Sequence, residues 1–174
     1  MVKKIALVLV VLVVGVLAYA ATRPDTLHVE RTATISAPPA AIVPLINDFR
    51  QWGVWSPYAK IGPAMRRTFS GSAEGTGAVY EWAGNSQVGA GRMEITDTSP
   101  SRITSKLDFT APMEGHNIAE FTLVPTGDAT TVTWTMDGPT PYVGKVMGVF
   151  LNMDTMIGGA FETGLANLKA ITEK

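Results

Sequence analysis

Residues 153–174 read MDTMIGGAFETGLANLKAITEK, and the spacing of the apolar side chains in this stretch decides the architecture. Met153, Ile157, Ala160, Phe161, Leu165 and Leu168 recur at helical intervals and form one stripe, whereas Asp154, Glu162, Asn167 and Lys169 fall elsewhere. An amphipathic helix of this length must bury its stripe against another apolar surface. The helix is predicted to open upstream, with Thr140 as N-cap and Pro141 as its first residue. Gly158, Gly159 and Gly164 interrupt it, each at a cost of roughly 1 kcal/mol relative to alanine. Tertiary structure has to offset that cost, either through close approach of the helix to its partner or through volume left for a ligand.

The partner surface lies upstream. From Leu27 the sequence LHVERTATIS alternates, with apolar or small side chains at 27, 29, 33 and 35, as a half-buried strand requires. Ser36 and the prolines 38 and 39 then open a short helix carrying Ile42, Leu45, Ile46 and Phe49 on one face, and Gly53 ends it. Residues 51–65 hold Trp52, Trp55, Tyr58 and two prolines without a period, which reads as a second short helix or an ordered aromatic loop. Six further strand-like segments follow, 65–70, 78–83, 91–98, 102–109, 117–124 and 130–137, separated by turn residues such as Gly84-Asn85 and Pro125-Thr126-Gly127-Asp128. Connections this short make neighbours antiparallel. The predicted fold class is therefore α+β: a curved seven-stranded antiparallel meander wrapped round a long C-terminal helix, with two short helices after the first strand.

The apolar run IALVLVVLVVGVLAYAA at 5–21 stands apart from this domain, with Lys3 and Lys4 before it and Thr22, Arg23 and Pro24 after it. At about 1.5 Å per residue it reaches ~25 Å, close to a hydrocarbon core of roughly 30 Å. It is predicted to be a transmembrane anchor, residues 1–22, ahead of a domain at 23–174. Two lysines against one arginine favour a cytoplasmic N-terminus and a domain on the periplasmic or extracellular side. Ala18-Tyr19-Ala20 also fits a signal-peptidase site, so secretion after cleavage near Ala20 is the alternative.

Composition narrows the chemistry. Fourteen Lys and Arg against 15 Asp and Glu give a net charge of -1, without the basic excess that a phosphate backbone requires, so nucleic acid is not an expected partner. With no cysteine and only His28 and His116, thiolate chemistry and a three-histidine metal site are excluded, and no metal or cofactor is expected. Strand alternation turns Tyr80, Trp82, Met93, Ile95, Leu107, Phe109, Phe121, Leu123, Val132, Trp134 and Met136 toward the helix, and the inward polar groups that could orient a ligand are Arg67, Ser105 and Asn117 with the Tyr80 hydroxyl and the Trp82 and Trp134 indole N–H groups. Glu81, Glu94, Asp108 and Glu120 fall on the opposite, solvated phase, and His116 points outward or to the rim. Gly75-Thr76-Gly77 and Gly89-Ala90-Gly91 lack the third glycine and the helix that a dinucleotide fingerprint needs. No catalytic set emerges.

Several stretches carry a resemblance: Ile35-Ser36-Ala37-Pro38-Pro39, Trp52 with Trp55-Ser56-Pro57, Gly77-Ala78-Val79-Tyr80-Glu81-Trp82, Gly91-Arg92-Met93-Glu94-Ile95, Thr131-Val132-Thr133-Trp134, and Gly164-Leu165-Ala166-Asn167-Leu168-Lys169. Across about residues 26–172 the chain resembles the SRPBCC, or START-like, proteins of the polyketide cyclase/dehydrase and lipid-transport group. The resemblance implies a helix-grip fold with a cavity beneath the C-terminal helix, and a hydrophobic small molecule or lipid as its occupant. The expected lining is Tyr80, Trp82, Met93, Phe109, Asn117, Phe121, Trp134, Met153, Ile157 and Phe161. Three functions stay open. One is a membrane-tethered binding domain, which needs no titrating group. Another is a cyclase or dehydratase, in which Tyr80, Arg67 or Asn117 would polarise a carbonyl. The third is an interaction domain with a filled core and an exposed apolar patch around Trp52, Trp55 and Tyr58.

Overall fold

Period-two alternation makes strands of all seven segments, most of them a residue or more longer than their apolar centres. The computed structural model describes residues 2–62 and 64–174; Met1, which begins the predicted anchor, and Pro63, in the predicted aromatic loop, lie outside the described residues. In chain order the elements are α1 (Val2–Ala21), β1 (Thr26–Ile35), α2 (Pro39–Asn47), the single turns α3 (Trp52–Trp55) and α4 (Tyr58–Ile61), β2 (Arg66–Gly71), β3 (Ala78–Ala83), β4 (Ala90–Ser99), β5 (Arg102–Ala111), β6 (Gly115–Thr126), β7 (Ala129–Pro139), α5 (Tyr142–Phe150) and α6 (Met153–Thr172). The sheet order is β1-β7-β6-β5-β4-β3-β2, all antiparallel: β2 to β7 form the meander, and β1 closes on its far edge beside β7.

The helical segments differ from expectation in three places. The first helix stops at Asn47, where Asp48 turns extended, so Phe49 lies beyond it. The second is split into α3 and α4, with an extended Ser56 between them. The long C-terminal helix is two helices: Thr140 is no N-cap, since its N–H donates to the Asp25 carbonyl at 2.6 Å, and Pro141 is extended. The apolar pattern runs unbroken through the junction, but the Asn152 side chain accepts the Thr155 N–H at 3.1 Å and starts α6 afresh.

α6 lies along β1 in the same direction. The Arg31 guanidinium grips Asp154 through both carboxylate oxygens, at 3.0 and 3.1 Å, and Glu162 at 2.7 Å. Further along, Lys169 donates to the Thr34 carbonyl at 2.8 Å and Glu173 accepts the Ser36 N–H at 2.6 Å. Gly158 faces Arg31 so closely that a methyl group there would occupy the guanidinium's place. At Gly164 an added Cβ would lie 2.9 Å from the Trp134 ring and 3.2 Å from Pro57. These two glycines therefore serve close approach. Gly159 faces open space.

Register sets which side chains share a transverse row. Phe69, Tyr80, Met93, Leu107 and Asn117 form one row, and Arg67, Trp82, Gly91, Phe109 and Gly115 the next, at the end of the sheet where α6 begins. Ile103, Phe121, Trp134 and Arg31 form a row deeper in the sheet. The core is centred there: Trp55, Ile42, Ile46, Leu123, Val132, Leu165 and Leu168 are fully buried.

α1 has 20 residues and a mean hydropathy of 2.6 over its most apolar window, long and apolar enough to cross a membrane. Its last turn packs on α5: Ala20 is completely covered, the Tyr142 hydroxyl donates to the Leu17 carbonyl at 2.8 Å, and Arg23 reaches the Gly148 carbonyl at 3.4 Å.

Two predictions follow from the α6 contacts. Gly159→Ala should stabilise the protein by up to about 1 kcal/mol through helix propensity alone, whereas Gly164→Ala should destabilise it by about 1–2 kcal/mol because Trp134 and Pro57 must move; denaturant titration of both variants checks the opposite signs. Arg31 holds the Asp154 carboxyl below its ordinary 3.8, so the stability it adds is complete above that pH and drains as the pH falls through and below it. The stability gap between Arg31→Met and the parent, measured from neutral pH to pH 2, should therefore be widest at neutrality and close in acid.

Candidate functional site

The concave face is filled at one end and lined by half-buried side chains, half open, at the other. The two best-defined cavities among the described residues lie outside it, one on α1 at residues 4–9 and one between α2 and the β4–β5 turn. At the closed end, Trp134 stacks on Phe161 with ring centres 3.9 Å apart and planes within 7°, and Phe121 covers its other side at 4.7 Å. Trp52 and Trp55 cap this group, with centres 6.2 and 5.7 Å from Trp134. Both are buried, at 8 and 0% exposure, so they belong to the core and form no surface patch. Of that expected patch, only Tyr58 keeps an exposed edge.

At the other end, Phe69, Tyr80 and Trp82 stack in series at 5.3 and 5.7 Å, and Phe109 meets Trp82 edge-on at 5.7 Å. Trp82 lies flat across Gly91, where any side chain would collide with it. These four rings are only half buried, as are Asn117 on β6 and Met153 and Ile157 on the first turns of α6. The ten predicted lining residues thus divide in two. Met93, Phe121, Trp134 and Phe161 are buried, and Tyr80, Trp82, Phe109, Asn117, Met153 and Ile157 cluster at the half-open end.

One buried donor is unspent. Of the four tryptophans, Trp52 donates its indole N–H to the Ile46 carbonyl at 2.8 Å, Trp55 to Leu45 at 2.8 Å, and Trp82 to Val88 at 3.0 Å. Trp134, 3% exposed, has no acceptor among the described residues. Its Cζ3 edge abuts the Gly164 position, so the N–H, across the indole from that edge, points away from Gly164. An unpaired buried N–H costs about 1–3 kcal/mol until an acceptor reaches it.

The remaining polar groups are few. Arg67 donates to the Ala59 carbonyl at 3.2 Å. Burial pushes the Tyr80 phenol up, and the nearby Arg67 charge offsets part of that rise. Tyr58 is pushed up to about 12 by burial, so both phenols stay protonated at neutral pH and can donate but not abstract a proton. Asn117 lies folded against Gly138, three strands from Tyr80 along their row, or about 14 Å at ordinary strand spacing. Arg67 and Tyr80 therefore converge, and Asn117 stands apart. Both histidines sit on the convex face, each 2.6 Å from a carboxylate: His28 from Asp137 and His116 from Asp108.

Alternation finds the aromatic walls and turns the Trp82 and Trp134 N–H groups inward, but it does not tell which of the two is spent, and it leaves Arg31 unassigned. Arg31 shares the inward phase of Val29, Ala33 and Ile35, a signal that was available. The isolation of one indole among four depends on tertiary packing alone.

No curated protein matches the sequence. Solved structures do match the fold. StfQ, a di-domain ARO/CYC protein of the steffimycin biosynthetic pathway, superposes with a TM-score of 0.66 at 11% identity over 85% of this chain and 51% of its own. The KanY protein gives 0.62 at 19% identity over 87% and 100%, and protein CV1439 from Chromobacterium violaceum 0.60 at 18% over 87% and 99%. The family model for polyketide cyclase/dehydrase and lipid transport matches residues 26–173, nearly the whole chain beyond α1. With its seven-stranded grip and C-terminal helix, the chain belongs to the polyketide cyclase/dehydrase and lipid transport family, of the SRPBCC type.

Proposed function

We propose that this protein is a membrane-tethered binding module for a hydrophobic small molecule or lipid that carries an oxygen acceptor, held at the half-open end of the concave face. The observation that carries the reading is the Trp134 N–H, buried in apolar surroundings and without a partner among the described residues, on the same concave face as the half-buried rings of that end. An apolar ligand with one carbonyl or hydroxyl oxygen would satisfy the donor, while Tyr80, Trp82, Phe109 and Ile157 receive its hydrocarbon part. Membership of a family described by both cyclisation and lipid transport supports such a cargo. The tether is α1, with Lys3 and Lys4 keeping the N-terminus cytoplasmic and the domain on the other side. The packing of Ala20 and Leu17 against α5 supports retention of α1, because cleavage near Ala20 would strip α5 of that partner.

A second reading, an enzyme of cyclase or dehydratase type, is favoured by the convergence of Arg67 and Tyr80, a cation beside a protonated phenol that together could polarise a ketone.

Mass spectrometry of organic extracts of the purified full chain should reveal a co-purifying apolar compound. In binding measured by tryptophan fluorescence, 2-acetonaphthone should bind more tightly than its carbonyl-free counterpart 2-ethylnaphthalene by about fivefold, the equivalent of one net hydrogen bond of ~1 kcal/mol. Trp134→Phe should abolish that preference and Tyr80→Phe should keep it. Equal affinity for both probes in the parent protein would refute the acceptor assignment.

A further inference from the structure

α5 turns an apolar face to solvent. Val143, Met147 and Phe150 follow one another at offsets of 0, 4 and 7, which places them on one stripe, and they are 59, 38 and 71% exposed. Leu151 and Met156, 47 and 59% exposed, continue the patch into α6. The one charged side chain of α5, Lys145, is buried on another face against Asp25, so the stripe carries no charge.

The position of α1 identifies the occupant. α1 exposes apolar side chains along its length, from Val2 at 80% to Leu17 at 40%, and its last turn is fastened to α5 by the Tyr142–Leu17 and Arg23–Gly148 hydrogen bonds. Leu17 lies within the apolar helix. Wherever α1 enters a bilayer, α5 must therefore lie within about one helical turn of the surface. Tyr19 and Tyr142, with Arg23 6.0 Å from the Tyr19 ring centre, supply the amphipathic side chains suited to that boundary. A helix with an apolar stripe held at this depth lies in the interface.

We propose that the stripe of Val143, Met147 and Phe150, extended by Leu151 and Met156, docks on the lipid surface that α1 penetrates. Docking there seats the half-open end of the concave face at the membrane, because α5 leads directly into Met153 and Ile157, which flank that end. The chemical class of partner is a lipid bilayer, recognised through apolar contact rather than headgroup charge. This inference rests on α1 being the retained anchor.

The absence of cysteine allows single-site labelling of the full chain. Val10→Cys, Phe150→Cys and Asp128→Cys, each labelled with an environment-sensitive NBD probe, are reconstituted into phosphatidylcholine vesicles with and without lipid-borne nitroxide quencher. Asp128 lies in the β6–β7 turn, at the far end of the sheet. Emission from positions 10 and 150 should be several-fold brighter than from 128 and be quenched by the nitroxide lipids, whereas 128 should respond only to aqueous iodide. A quenched probe at 10 with a water-exposed probe at 150 would overturn the docking surface and leave the anchor intact. A water-exposed probe at 10 would overturn the anchor and the docking surface together. Replacing dioleoyl phosphatidylcholine with an anionic mixture should leave the position 150 signal unchanged, and a rise that depends on anionic lipid would overturn recognition by apolar contact.

Discussion

The architecture depends on one ionic clamp laid across the edge of the sheet. Arg31 occupies an inward position of β1, where an apolar side chain would be the ordinary choice, and its guanidinium passes through the gap left by Gly158 to hold Asp154 and Glu162, which lie on the turns of α6 either side of that glycine. Its remaining Nη1 contact goes to the Glu30 carbonyl at 2.7 Å, so the fork is well used. A planar, bidentate clamp fixes the helix in rotation and register more sharply than apolar contact, which tolerates sliding. That fixed register brings Phe161 over Trp134 and Gly164 against its ring edge.

The clamp also explains why the grip is asymmetric. α6 is held along β1, the edge strand, and not across the middle of the sheet. Its C-terminal half, with Leu165 and Leu168, closes the core together with α2 and α3. Its N-terminal half lies toward the opposite sheet end, where β3 to β6 carry the half-buried rings. The unspent Trp134 donor lies in the closed region, within the buried aromatic group. A protein selected only for stability would have no use for that donor, since phenylalanine gives the same stack without an N–H to desolvate.

Much of the fold was legible in the sequence because alternation is kept within each of the seven strands, and the inward phase it gives Met93, Ile95, Leu107, Phe121, Leu123, Val132, Trp134 and Met136 agrees with their burial. What escaped was what periodicity does not encode. The helix break at Asn152 sits inside a continuous apolar pattern, and only a side-chain cap marks it. Arg31 was passed over because charge suggests solvent, although its phase and the i, i+4, i+8 series Asp154, Gly158, Glu162 describe a slot for a cation. Trp52 and Trp55 lie in an aperiodic segment, so sequence alone could not separate a surface patch from the lid of the core; their N–H groups, satisfied by α2 carbonyls, place them inside.

The relation between α1 and the domain bears on how a cargo of low solubility would be exchanged. A freely tethered domain would meet its ligand through water, where an apolar molecule is scarce. Here the chain after α1 turns within five residues into β1, and Arg23 and Asp25 are both tied to α5. Such a short connection leaves little orientational freedom between anchor and domain. The apolar stripe of α5 therefore stays beside the end of α1, and α5 leads directly into α6, whose first turns carry the half-buried Met153 and Ile157, so that exposed apolar surface lies on α1, α5 and the start of α6. A ligand leaving the bilayer along that surface would avoid full hydration, at about 25 cal/mol for each Å² kept from water. Exchange at the membrane would then be governed by the α5 stripe, and selectivity within the domain by the Trp134 donor.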